Sequence, residues 1–231
     1  MDGKYFLAGC KEVIQVLFTV VRSGVVGLVC LLVSATFGQD RGTSSTQVFG
    51  VTGRGTSFVF VFDRSLSMNG APLAAAKREL LASLGQLERV HQFQIIFYNE
   101  KPKMMSTSQM LFADENGLRQ AESFVGTITA AGGTDHLQAL QLAMRFKPDV
   151  IFLLTDADEP PLTTKQLADI RQNNTAAINV IEFKSTPVAG KSSPGKSVPD
   201  SSAKRSFLRQ LADENRGEYK SIDTTTLPAA K

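Results

Sequence analysis

The chain is poor in the side chains that build disulfides and soft metal sites. Its 231 residues include two cysteines, Cys10 and Cys30, which both lie in the first 30 residues. It has two histidines, His91 and His136, and no tryptophan. Residues beyond Cys30 therefore cannot form a disulfide or a thiolate metal site, and a zinc site built on several imidazoles is excluded. Any metal ion bound there must be held by oxygen ligands.

The chain also lacks a strong excess of charge of either sign. It carries 25 Lys and Arg against 22 Asp and Glu, a net charge of +3. No basic stretch or nucleic-acid-binding motif stands out, so nucleic acid is not expected as a partner. The hydrophobic content of 42% is normal for a globular protein, and the length suits one domain with additional segments.

Residues 1–38 combine positive charge with a long apolar run. Lys4, Lys11 and Arg22 precede the apolar stretch at 24–37. One interpretation is a cleaved signal peptide, and the other is an uncleaved hydrophobic helix that anchors the chain in a membrane. Both keep the N-terminus in the cytoplasm and export the rest. The expected location is the cell membrane with the domain outside the cytoplasm, or a secreted or periplasmic location after cleavage.

The remaining sequence divides into a linker, one domain and a tail. Residues 39–56 are rich in Gly, Ser and Thr, which predicts a linker. Strand and helix patterns alternate over 57–223, with a flexible insert at 184–202, and 224–231 form a tail. This alternation predicts an α/β fold with a doubly wound, mostly parallel open sheet. The stretch KPKMMS at 101–106 predicts one short antiparallel edge strand.

Oxygen-bearing side chains follow three of the predicted elements. Asp63, Ser65 and Ser67 come at the end of the apolar strand SFVFVFD, Thr134 follows two glycines, and Asp156 ends another apolar strand. Because parallel strands end at one edge of a sheet, these residues are expected to meet there. The D-x-S-x-S spacing turns alternate side chains toward one point. Such hard oxygen ligands select Mg²⁺, with Mn²⁺ or Ca²⁺ as alternatives.

Three stretches together resemble a known family. FVFVFDRSLSM, GGTDHLQAL and IFLLTDADEP resemble a von Willebrand factor type A (VWA) domain with a complete metal-ion-dependent adhesion site. The resemblance covers about residues 57–223 and extends loosely to exported bacterial members with one N-terminal hydrophobic segment. It implies a domain that binds a protein partner, whose Asp or Glu completes the shell of the metal ion. It also implies which residues bind the metal ion. Ser65, Ser67 and Thr134 would be close ligands through their hydroxyls. Asp63 and Asp156 would bind the ion directly or through water.

Two positions depart from that family pattern. Leu66 and Ala157 stand where many members have glycine, and Asp158 and Glu159 follow. Neither departure removes a ligand oxygen. The additional acids either raise the affinity for the cation or repel an acidic partner.

Other interpretations of the same residues remain open at this point. Asp63, Ser65 and Ser67 could cap a helix without metal. The ion could serve only to stabilise an envelope component. Asp63 could be the nucleophile of a Mg²⁺-dependent phosphoryl-transfer enzyme, but Ser65 stands where such enzymes usually carry a second carboxylate. We expect a binding domain rather than an enzyme, and we expect His136 to be a surface helix residue.

Overall fold

The computed structural model of this chain describes residues 44–156, 160–184 and 206–227. Within those ranges the chain forms nine strands and five α-helices. In chain order these are β1 Ser44–Val48, β2 Val51–Gly55, β3 Ser57–Asp63, α1 Ala71–Leu84, β4 Gln92–Tyr98, β5 Lys103–Met104, β6 Leu111–Phe112, α2 Glu115–Gly126, α3 His136–Met144, β7 Val150–Thr155, α4 Thr164–Asn173, β8 Ala177–Lys184, α5 Phe207–Glu214 and β9 Tyr219–Asp223.

Seven of these strands form one sheet: six follow the order β5-β4-β3-β7-β8-β9, and β6 also pairs with β4. The strands from β4 through β3, β7 and β8 to β9 are all parallel. The predicted doubly wound, mostly parallel sheet is therefore confirmed. We call the edge where these strands end the carboxyl edge, and the edge where they begin the amino edge.

The antiparallel edge of the sheet is divided into two parts. Both β5 and β6 pair antiparallel with β4, where one short strand was expected. Between them the side-chain amide of Gln94 donates to the carbonyls of Ser106 (2.7 Å) and Gln109 (3.4 Å). Between β5 and β6, the Gln94 side chain thus takes the place of backbone pairing with β4. Each of these two strands therefore spans only two residues.

Both faces of the sheet are covered by helices, which explains why its central strands are apolar on both faces. Phenylalanines dominate the face covered by α1 and α2, and Phe60 stacks on Phe152 with ring centroids 5.5 Å apart. Aliphatic residues such as Val61, Leu153 and Val180 form the face covered by α3, α4 and α5. Helix starts are encoded locally: the Asp135 carboxylate, for example, accepts the Gln138 N–H at the start of α3 (3.0 Å).

The predicted linker is wrong over residues 44–55, which form the antiparallel hairpin β1–β2. Phe49 and Gly50 both have positive φ, 50° and 76°, as a tight two-residue turn requires. A Cβ added at Gly53 would lie 2.7 Å from the Phe152 ring and 2.8 Å from the Val150 side chain. The glycine therefore lets the hairpin pack tightly against β7, and it marks a close approach of two elements rather than a mobile linker.

Several predictions fall outside the described residues. These are the N-terminal signal or anchor at 1–38, the first part of the linker at 39–43, the family departure and additional acids at 157–159, nearly all of the insert at 184–202 and half of the tail, 228–231. Where the chain is described, none of its helices has the length and apolar character needed to span a bilayer.

Candidate metal centre

Asp63, the last residue of β3, lies at the carboxyl edge of the sheet and is fully buried. Its Oδ1 accepts the Ser65 N–H (2.7 Å) and its Oδ2 accepts the Thr155 hydroxyl (2.7 Å). Burial raises the pKa of this carboxyl to about 6, although the hydrogen bonds from Thr155 and Ser65 oppose that rise. The charged carboxylate is thus costly to hold here, and a nearby cation would stabilise it.

Ser65, Ser67 and Asp156 form a hydrogen-bonded chain above Asp63. The Ser65 and Ser67 hydroxyl oxygens lie 3.0 Å apart, and Ser67 donates to Asp156 Oδ1 at 2.9 Å. Burial raises the pKa of Asp156, against the hydrogen bond from Ser67. The structure therefore brings four of the five predicted site residues together in one connected group.

The helix-cap interpretation of these residues is not supported by the local geometry. Ser65 stands before the short 3₁₀ turn Leu66–Met68, but its side chain makes no capping hydrogen bond. The Asp63 carboxylate instead accepts the Ser65 N–H, two residues along the chain. The two serine hydroxyls face each other, and Ser67 also donates to Asp156.

The loop of Thr134 is joined to the Asp63 loop through the backbone. Leu66 N–H donates to the Gly132 carbonyl (3.0 Å), and Ala131 N–H donates to the Arg64 carbonyl (2.8 Å). Thr134 itself is half-buried. In the described part of the chain, its hydroxyl makes no hydrogen bond to the other four side chains. Thr134 is thus on the adjoining loop, outside the hydrogen-bonded group.

Asn99, which the sequence analysis missed, fastens the Thr134 loop on both sides. Its side-chain amide donates to the Ala131 carbonyl (2.6 Å), and its backbone carbonyl accepts the Asp135 N–H (3.1 Å). Gly132 has φ +72°, and a Cβ there would lie 2.9 Å from Asn99 Nδ2. The glycine at 132 therefore lets its loop pack closely against the Asn99 side chain. A polar residue directly after the apolar strand 93–98 was the available signal.

Arg64 adds a second tie between the same loops. Its guanidinium donates to Asn99 Oδ1 (3.2 Å) and to the Thr129 carbonyl (3.3 Å). Its backbone N–H donates to the Tyr98 carbonyl (2.8 Å). The positive charge of Arg64 is thus held by loop oxygens beside the site.

His136 is buried, and its assignment as a surface residue was wrong. Its Nδ1 lies 3.0 Å from the Tyr98 hydroxyl, and its ring contacts Phe207 with centroids 5.4 Å apart. Burial and the nearby charge of Asp63 raise the pKa of Tyr98 well above its usual value. The spacing of His136 with Ala139 and Ala143, both on the inner face of α3, was the signal for burial.

The donor set fits a hard divalent cation. Two carboxylates and three hydroxyls supply only oxygen, as Mg²⁺, Mn²⁺ and Ca²⁺ prefer. No group of three or more acids, histidines or cysteines suited to a metal occurs among the described residues. A metal site at this edge therefore depends on the serine and threonine hydroxyls.

A family model for the von Willebrand factor type A domain matches residues 56–190, more than half of the chain. The chain belongs to the von Willebrand factor type A domain family. One relative of this VWA domain is human inter-alpha-trypsin inhibitor heavy chain H4, 29% identical over 122 residues. That match covers 47% of this chain and 13% of the human protein, so the chain corresponds to a small part of that relative.

Solved structures share the VWA fold at low sequence identity. A von Willebrand factor type A protein from Catenulispora acidiphila has a TM-score of 0.60 and 21% identity, covering 80% of this chain and 43% of its own. The mussel byssus protein PTMP1, with a zinc-occupied metal-ion-dependent adhesion site, has a TM-score of 0.51 and 16% identity over 74% of this chain and 42% of its own. An aerotolerance-related membrane protein from Bacteroides fragilis has a TM-score of 0.51 and 18% identity over 73% of this chain and 92% of its own. These structures support the fold alone.

Proposed function

We propose that this VWA domain binds a protein partner through a divalent cation at a metal-ion-dependent adhesion site. The observation that carries the proposal is the hydrogen-bonded chain of Ser65, Ser67 and Asp156 above the buried Asp63. Thr134, on the loop fastened by Asn99, would complete the ligands. The mussel protein with zinc in this motif is a precedent within the fold.

The chemistry of the ligands supports a role in adhesion. Three neutral hydroxyls leave a bound Mg²⁺, Mn²⁺ or Ca²⁺ with much of its positive charge. Such an ion attracts an anionic oxygen, and the side chains of a protein that offer one are Asp and Glu. A shell made only of carboxylates would weaken that attraction.

The burial of Asp63 supports a binding domain over a phosphoryl-transfer enzyme. A nucleophilic carboxylate must reach its substrate. Asp63 is fully buried, and both of its oxygens accept hydrogen bonds from the protein. We therefore propose that the domain has no catalytic role.

We further propose that the domain acts outside the cytoplasm. This rests on the positive charges and apolar run of residues 1–38, which suit a membrane anchor or a secretory signal. The alternative, a purely stabilising ion in an envelope protein, is tested by the pull-down described below.

Calorimetric titration of the full chain, in detergent where its apolar segment requires it, tests the metal site. Mg²⁺ and Mn²⁺ should bind, and Ser67→Ala should weaken that binding by roughly 10- to 100-fold. Ser123→Ala, at an exposed position of α2, is the matched control and should bind as the wild type does. Absence of divalent uptake by the folded wild-type chain would refute the proposal.

A pull-down from envelope extract, with Mg²⁺ or with chelator, separates adhesion from a structural ion. Adhesion predicts partners that are recovered only with Mg²⁺ and are lost with a folded Asp63→Ala variant. A structural ion predicts that Asp63→Ala unfolds the domain. Chelator-insensitive recovery of the same proteins would contradict the adhesion mechanism.

A further inference from the structure

A large apolar side chain stands exposed in the middle of the candidate metal site. Leu66 lies between the two serines of the site and is 64% exposed. Its N–H donates to the Gly132 carbonyl (3.0 Å), and its carbonyl accepts the Asn69 N–H (3.1 Å). Met68, in the same turn, is fully buried. The turn is therefore closed by its own hydrogen bond, tied to the Gly132 loop and held by the buried Met68, while the leucine side chain stays in solvent.

The two other large hydrophobic side chains that are exposed in the described part lie far from the site. Val90 is 71% exposed and Phe112 is 51% exposed. Val90 precedes β4, and Phe112 pairs with Gln92, the first residue of β4. Both therefore belong to the amino edge of the sheet. Within the described residues, Leu66 alone presents a large exposed apolar side chain at the carboxyl edge.

Two acidic side chains lie on the loops joined to this turn. Asp156 accepts the Ser67 hydroxyl (2.9 Å), and Glu100 accepts the Gly133 N–H (3.0 Å). An acidic partner would be attracted by a bound cation but repelled by these neighbouring carboxylates. Contact with a rigidly held leucine supplies affinity that does not depend on charge, and it costs little ordering because the backbone is already fixed.

We propose that Leu66 selects the partner of this domain. The partner is a protein segment in which an Asp or Glu, directed at the cation, has an apolar residue within two positions along the chain. That apolar residue packs on Leu66 while the carboxylate reaches the ion. The inference rests on the proposed function and specifies the class of ligand that the same site takes.

A bead-displayed peptide library with one fixed central Asp and randomised flanking positions tests this inference on the full chain in Mg²⁺ buffer. The wild type should enrich apolar residues within two positions of the Asp. Leu66→Ala should lose that enrichment and bind the selected peptides about tenfold more weakly. Its Mg²⁺ affinity, measured by calorimetry, should be unchanged. Val90→Ala, the matched exposed apolar residue at the opposite edge, should retain both properties.

The outcomes separate the inference from the function on which it rests. Acidic peptides enriched without apolar neighbours, or with Lys or Arg neighbours, would overturn the role of Leu66 and leave metal-dependent binding in place. The same holds for an apolar preference that is unchanged in Leu66→Ala. If no acidic peptide is enriched, or if enrichment persists in chelator, the proposed function fails and the inference fails with it.

Discussion

Asp63 lies at the carboxyl edge of the sheet, at the end of β3, and Asp149 lies at the amino edge, just before the neighbouring strand β7. The protein shifts the pKa values of these two carboxyls in opposite directions. Asp149, just before β7, accepts four hydrogen bonds on Oδ2, from the N–H groups and hydroxyls of Thr56 and Ser57 at 2.7 to 3.1 Å. Burial alone would raise its pKa, but these bonds outweigh burial and lower it. Asp63 accepts hydrogen bonds from Ser65 and Thr155, but burial outweighs them and raises its pKa to about 6.

The difference separates a structural carboxylate from one that suits a bound ion. Asp149 is stabilised by donors at the point where the hairpin enters β3, and it fixes the start of the sheet. Asp63 is buried, and its hydrogen bonds do not offset the effect of that burial, so its charge is unfavourable in the metal-free protein. Residues that are unfavourable for folding in this way concentrate at functional sites.

The largest expected effect is an opposite change in stability when each carboxylate becomes an amide. In chelator at pH 7.5, Asp63→Asn should raise the free energy of unfolding by about 1–3 kcal/mol, because a buried charge is removed. Asp149→Asn should lower the free energy of unfolding by about 1 kcal/mol, because charged hydrogen bonds are lost at an exposed site. Urea unfolding of the two variants and the wild type measures both changes.

Addition of Mg²⁺ sharpens the same experiment. The wild type and Asp149→Asn should gain stability with increasing Mg²⁺, and Asp63→Asn should not. If Asp63→Asn destabilises the metal-free protein as Asp149→Asn does, the contrast between the two edges is wrong.

A smaller effect is expected where a side chain acts on the metal site only by positioning a loop. Asn99→Ala removes the bond to the Ala131 carbonyl and the acceptor for Arg64. Mg²⁺ affinity should fall about tenfold, because Thr134 is no longer held in place. Asn99→Asp keeps an acceptor for Arg64 but loses the donor to Ala131. The Mg²⁺ affinity of this variant should therefore lie between those of the wild type and Asn99→Ala. An Asn99→Ala variant that is less stable but binds Mg²⁺ normally would assign Asn99 a purely structural role.

The sequence predicted the elements that have regular patterns and missed those that depend on distant contacts. Alternating apolar strands and helices were sufficient for the parallel sheet, and the polar residues at strand ends were sufficient to find Asp63 and Asp156. Asn99 carries the same local signal, a polar residue directly after an apolar strand, but its role depends on Ala131 and Arg64, which lie far away along the chain. The hairpin at 44–55 was missed because Gly53 allows close packing on Phe152, a contact that no local signal shows.

The smallest expected effect is the acid dependence that Asp149 imposes on stability. Because its folded pKa lies below the ordinary value of 3.8, its contribution is fully present above that value and is lost as the pH falls through the lower folded pKa. From pH 5 down to about pH 2, the difference in unfolding free energy between the wild type and Asp149→Asn should therefore hold steady to near pH 3.8 and then shrink as the pH falls further. Urea unfolding in chelator across that range measures it, with Glu122→Gln, an exposed acid of α2, as the control for general charge. A difference that stays constant across the range would mean that Asp149 acts through hydrogen-bond geometry that an amide cannot reproduce, and not through its charge.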